Sequence, residues 1–161
     1  MIKKGSTLVL KGAVFLMGAI VLALAIFALP NAYNGGSAEF PEASQALLLI
    51  ISGLYATTLP FFIGLWETLK LLSYIDKNTA FSDMSVKALK NIKRCALIIG
   101  VLYMGGVPLL LPIADADDAP GLLVIGFVIA CAPFIIAIFA AVLQKLLQNA
   151  IEMKSENELT V

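Results

Sequence analysis

Histidine is absent from this chain, cysteine occurs twice, tryptophan once, and charged residues make up 14% of it. Without histidine, and with no Cys-x-x-Cys pair, the ligand sets that hold zinc, haem or an iron–sulfur cluster have no basis, so no metal and no cofactor is expected. Cys95 and Cys131 fall in different apolar runs, one at a membrane boundary and one deep in a span, and read as small packing residues rather than a disulfide. No nucleophile stands beside a base and no two acids share a working spacing. No catalytic residue is assigned, and an enzyme is the least supported class.

What the chain has in excess is apolar surface. Hydrophobic residues reach 60%, where soluble domains hold about half apolar and about a quarter charged residues. Four runs carry the excess, at 8–29, 44–72, 95–113 and 121–147, each about the 20 residues or so that cross a hydrocarbon core. The expected fold is all-α: one domain over 1–161, a four-transmembrane-helix bundle with a loop at 73–94 and a tail at 148–161. The first run follows Met-Ile-Lys-Lys as a secretory signal would. Its length exceeds the usual apolar core of about 7 to 15 residues, and Ala28-Leu29-Pro30 is no small-x-small cleavage site, so it reads as a retained helix.

The spans separate the charges. All eleven lysines and arginines fall at the N-terminus, in the loop 73–94, at neighbouring helix ends or in the C-terminal tail. Lys-rich short segments stay inside, so both termini and this loop are expected in the cytoplasm of a multi-pass plasma-membrane protein. The same side holds six acids and the other side five acids with no cation, so a net charge of zero hides five positive charges inside and five negative outside.

Within the loop, Ser82 suits an N-cap and Asp83 the first helical turn, where an anion complements the dipole; Phe81 could staple Val86. A helix starting there carries Lys87, Lys90 and Arg94 as a basic stripe neighbouring a face of Val86, Leu89, Ile92 or Lys93, and Ala96. Asp76, Phe81, Ser82 and Asp83 would shape the loop, and Lys87, Lys90, Lys93 and Arg94 would make its contacts. Two readings fit the stripe: attraction to anionic headgroups, at about 1 kcal/mol per cation, or docking of an acidic protein. A loop lying against the membrane is poorly placed to enter a DNA groove, so direct nucleic-acid binding is not expected.

Inside the spans, Pro60, Pro108 and Pro133 should each bend their helix, with Thr57 and Thr58 placed to bond a carbonyl freed by Pro60. Glu67 is the one intramembrane acid. It stands beside Trp66 and one turn before Lys70, and reads as a paired acid in an interfacial aromatic belt, with Gln144 and Lys145 on the same polar rim. On the outer side, Asn31 to Ser44 reads as a short flexible turn, and Asp115, Asp117 and Asp118, ahead of Pro120, as the acidic first turn of the fourth helix rather than a calcium loop. Gly12, Gly18, Gly53, Gly64, Gly100, Gly105 and Gly106 would allow close helix approach, within one chain or in a homo-oligomer.

The run Leu71-Leu72-Ser73-Tyr74-Ile75-Asp76-Lys77-Asn78-Thr79-Ala80-Phe81-Ser82, its continuation from Ser85 to Lys93, and the closing Leu143-Gln144-Lys145-Leu146-Leu147-Gln148-Asn149-Ala150 resemble domain-of-unknown-function family 2975, the YoaS-like bacterial membrane proteins. The resemblance implies architecture rather than activity. It also implies a genomic context, since such proteins are commonly encoded beside a small helix-turn-helix transcription regulator. The leading expectation is therefore a non-enzymatic membrane regulator that binds such a partner through its basic loop; the alternative is a small-solute or ion carrier or channel.

Overall fold

The computed structural model describes residues 4–160, and over these its regular structure is all helical, with no strand. Four helical stretches are long and apolar enough to cross a membrane, Gly5–Glu39, Pro41–Asp76, Asp83–Ala116 and Gly121–Leu159. Lys3 lies outside the described residues.

The first stretch joins α1 (Lys4–Ala23) to α2 (Leu29–Glu39) through a π-helical turn, Leu24–Ala28. Pro30 explains the turn. Its ring has no N–H and crowds the carbonyl four residues back, and widening the preceding turn, where Leu29 N–H bonds Leu24 O, absorbs the misfit without ending the helix. The segment expected as a flexible outer turn from Asn31 is thus helical up to Glu39, Gly35 and Gly36 included, and only Phe40 breaks it before the short 3-10 turn Pro41–Ala43.

Helix α3 (Ser44–Asp76) keeps helical geometry through Pro60. Thr57 and Thr58 donate to the carbonyls of Leu54 and Tyr55, at 2.7 and 2.6 Å, and not to that of Ala56, the one Pro60 leaves without a donor. Helix α4 (Asp83–Gly106) ends in a 3-10 turn, Val107–Leu110, containing Pro108, and resumes as α5 (Leu111–Ala116). Helix α6 (Gly121–Leu159) runs unbroken through Pro133 and carries the tail as further helix, because residues 148–159 include Gln, Ala, Glu, Met and Lys, all good helix formers, with no Gly or Pro to stop it. At about 58 Å it is close to twice the hydrocarbon thickness.

The spans are neighbours in chain order. Helix α4 is the centre, packed on α3 and on α6, while α1 leans on α3. The buried residues of α4 are Ser85, Ala88, Leu89, Cys95, Ala96 and Gly100, spaced three, four and seven apart on one side of the helix and mostly small. Small side chains matter here because lipid offers no hydrophobic push, and association rests on close van der Waals fit. Of the glycines, Gly64 meets Cys95 of α4, Gly18 meets Leu65, and Gly100 sits against the Phe134 ring, whereas Gly12, Gly53, Gly105 and Gly106 face open space. No residue in the most apolar stretch of the first span is buried.

A side chain at Gly100 would meet the Phe134 ring at 3.0 Å. Gly100→Leu should therefore lower unfolding stability in detergent by about 2 kcal/mol through overpacking, while Gly105→Leu, facing open space, should change it little. Equal effects in thermal unfolding would show that the α4–α6 contact is not the tight one.

Candidate functional site

The ends of α3 and α4 meet where the cations gather, and the backbone there is fixed by two caps. Asn78 adopts the left-handed conformation, φ 58, which Asn tolerates better than most residues. Thr79 N–H bonds Tyr74 O at 2.8 Å and Asn78 N–H bonds Ile75 O at 3.1 Å, the paired bonds of a Schellman motif that close α3. Four residues on, Ser82 is extended at φ −145 and ψ 158; its Oγ accepts from Ser85 N–H at 3.4 Å and donates to Thr79 O at 2.7 Å. Ser85, wholly buried, turns its own hydroxyl to Thr79 O. The expected N-cap at Ser82 and the acid at Asp83 in the first turn are both present. Phe81, expected to staple Val86, stays 60% exposed.

Asp76 has a different part from the loop-shaping one expected of it. As the last residue of α3 it accepts from Thr7 Oγ1 and pairs with Lys11 Nζ, both on α1. Thr7 is buried. Helix α1 is thereby tied, at its basic end, to the residue that enters the loop. Sequence reasoning missed Thr7 and Asn78; the Lys77-Asn78-Thr79 step, an αL-tolerant residue just past a long helix, was the available signal for the second, and nothing local pointed to the first.

Along α4, Lys87, Lys90 and Arg94 are exposed, and none has a carboxylate within salt-bridge reach among the described residues. Lys93 differs. It is half-buried and donates to Gln144 Oε1 of α6 at 3.3 Å, so it ties two helices together instead of joining the open stripe. Between α4 and α6 lies a groove of about 330 Å³, lined by Lys87, Lys90, Arg94, Gln144 and Gln148, with Asp83 as its one carboxylate.

On the other flank, between α3 and α4, Glu67 and Lys70 form a 2.8 Å ion pair. Glu67 is 7% exposed, buried rather than reaching out to the rim, and lines a pocket of about 200 Å³ with Lys70, Tyr74, Lys87 and Asn91. Trp66 points outward at 64% exposure, as a belt residue would. Gln144 belongs to this basic end as expected, while Lys145 is simply exposed. Cys95 and Cys131 are unpaired. At the opposite end, Asp118, φ 49, and the bonds Asp118 N–H to Asp115 O and Ala119 N–H to Ala114 O close α5 with a second Schellman motif. The acidic run therefore ends α5 instead of forming the first turn of α6, whose N-cap is Pro120. No cluster of acids, Cys or His that could hold a metal occurs among the described residues.

These features define an all-helical membrane protein with four candidate spans and its chemistry confined to one end. The chain belongs to the family described as "Protein of unknown function (DUF2975)", which matches residues 31–161. It is 52% identical over 156 residues to "Uncharacterized membrane protein YoaS" of Bacillus subtilis (strain 168), covering 97% of this chain and 98% of that protein. No solved structure matches it.

The pair Glu67–Lys70 should respond asymmetrically to mutation. Glu67→Gln leaves a lysine that is already partly open to solvent, but Lys70→Met strands a buried carboxylate, at a cost on the order of 2 kcal/mol, below that of a fully enclosed pair. Chemical unfolding of the two variants that gave equal losses, or a larger loss for Glu67→Gln, would contradict this burial.

Proposed function

We propose that the protein is a non-enzymatic membrane regulator, oriented with its basic end and both termini in the cytoplasm, whose α4 stripe binds an acidic surface of a small helix-turn-helix regulator. The observation that carries this is the set of three exposed cations, Lys87, Lys90 and Arg94, presented side by side on a capped helix with no acid paired to them among the described residues. A flexible basic loop would serve topology equally well. A rigid helix holding three cations at fixed spacing beside two glutamine amides offers a partner a defined pattern, and electrostatic patterning is what gives such contacts specificity. The orientation follows from the positive-inside rule applied to short loops. The partner's class comes from the genomic setting that the family implies.

A carrier has weaker support. The hollow of about 430 Å³ is lined mainly by Leu, Ile, Val and Gly, that of about 230 Å³ by apolar residues with the hydroxyls of Thr57, Thr58 and Tyr103 but no charge, and the charged pocket around Glu67 lies at the basic rim.

Crosslinked capture of the full-length protein from native membranes, with partners identified by mass spectrometry, tests the proposal. Lys87→Glu, Lys90→Glu and Arg94→Glu together should reduce recovery of a small DNA-binding protein by at least about tenfold, given about 1 kcal/mol or more per rim charge reversed, and should shift expression of its target genes. Lys93→Gln, which alters a cation already engaged within the fold, should have much the smaller effect. Undiminished capture and expression in correctly inserted triple variant would sink the mechanism.

A further inference from the structure

Along α4 the exposed cations continue into exposed aliphatic residues. Successive residues turn by about 100°, which puts Lys87, Lys90, Arg94, Leu97, Ile98 and Val101 on one side of the helix, opposite the buried side that contains Ala88, Cys95 and Ala96. From Arg94 to Val101 the rise is about 10 Å. One face thus presents cations at the basic end and an open apolar track immediately deeper, at 40% to 63% exposure. This is the order of groups in a phospholipid.

The groove beside this face adds donors of fixed direction. Lys93 occupies Gln144 Oε1, which leaves the amide nitrogen of Gln144 as a donor, and Gln148 stands one turn further on. Arg94 supplies a planar fork suited to two phosphate oxygens and Lys90 a point charge. Asp83, the groove's one carboxylate, is three turns from Arg94 and leaves that end of the groove without a competing anion.

We infer that the α4–α6 groove is a headgroup site for an anionic phospholipid, with the phosphate between Lys90, Arg94 and the Gln144 amide and an acyl chain along Leu97, Ile98 and Val101. The site deepens the function proposed above by naming what occupies the stripe when no protein partner is bound: lipid and partner share Lys90 and Arg94, so the anionic lipid content of the membrane sets how much of the protein is open to the partner. That regulatory step rests on the partner reading. The lipid site does not.

The test uses full-length protein stripped of lipid in detergent micelles, titrated with phosphatidylglycerol or phosphatidylcholine and observed by native mass spectrometry. One phosphatidylglycerol should be retained in preference to phosphatidylcholine. Lys90→Gln with Arg94→Gln should weaken retention about twenty-five-fold, at about fivefold per cation, whereas Lys77→Gln with Lys154→Gln, the same charge removed elsewhere at the same end, should leave it unchanged. Circular dichroism confirms that both double variants remain folded. No preference for the anionic lipid, or equal weakening by the two double variants, overturns the site and reduces the stripe to general surface attraction. Lipid retention without partner capture sinks only the earlier proposal, and partner capture without lipid retention sinks only this one.

Discussion

The close fit of α4 between α3 and α6 is the constraint on which the rest of the structure depends. In a hydrocarbon solvent the apolar side chains gain nothing by leaving lipid for protein, so a helix is held by shape and by polar bonds. Helix α4 meets that requirement with Ala88, Cys95, Ala96 and Gly100 where the neighbours come closest, and with Lys93 bonding across to Gln144. Rotating α4 by one residue would bring Leu97 into the place of Ala96, turn Ala88 and Cys95 out to where Lys87 and Arg94 stand, ruin the fit with Phe134 at Gly100, and break the Lys93 bond. The rotation of α4 is set where it begins, by the Asn78 and Ser82 caps, so the loop's backbone bonds fix which cations face outward.

The same geometry divides the basic residues by role. Lys11 and Lys70 are taken up by Asp76 and Glu67, and Lys93 by Gln144, each joining two elements or two turns of the fold. Lys87, Lys90 and Arg94 lie opposite the buried side of α4 and have no ion-pair partner among the described residues. A topology signal needs only the number of cations near the membrane. The unequal treatment of neighbouring lysines, with Lys93 engaged and Lys90 left open, is a property of a surface rather than of a count.

Much of this was legible in the sequence where one rule acts locally. Spans follow from apolar run length, the N-cap from a serine ahead of an acid, and the Glu67–Lys70 pair from i,i+3 spacing. The errors came where a local rule met a longer-range demand. Asn34, Gly35, Gly36 and Pro41 read as a turn, yet a π-helical turn relieves Pro30 and the helix passes through the glycines as far as Glu39, since Gly costs about 1 kcal/mol in a helix but does not forbid one. Asp118 read as part of a helix start because Pro120 follows, while its left-handed backbone makes it the close of the preceding helix. The pairing of Asp76 with Lys11 spans 65 residues, and no local pattern encodes which helix lies beside which.

Helix α1 stands apart energetically from the three helices centred on α4. Its most apolar stretch buries nothing, its glycine at position 12 meets no neighbour, and its firmest attachments are the Gly18 contact with Leu65, the Tyr55 hydroxyl on Ala25 O at 2.7 Å, and the polar tie of Thr7 and Lys11 to Asp76. Elements with few buried contacts open at lower free energy than the core they rest on. Asp76 is also the last residue before the capped loop, so a displacement of α1 removes two bonds from the residue on which that loop is hinged, while the α3–α4–α6 packing is untouched.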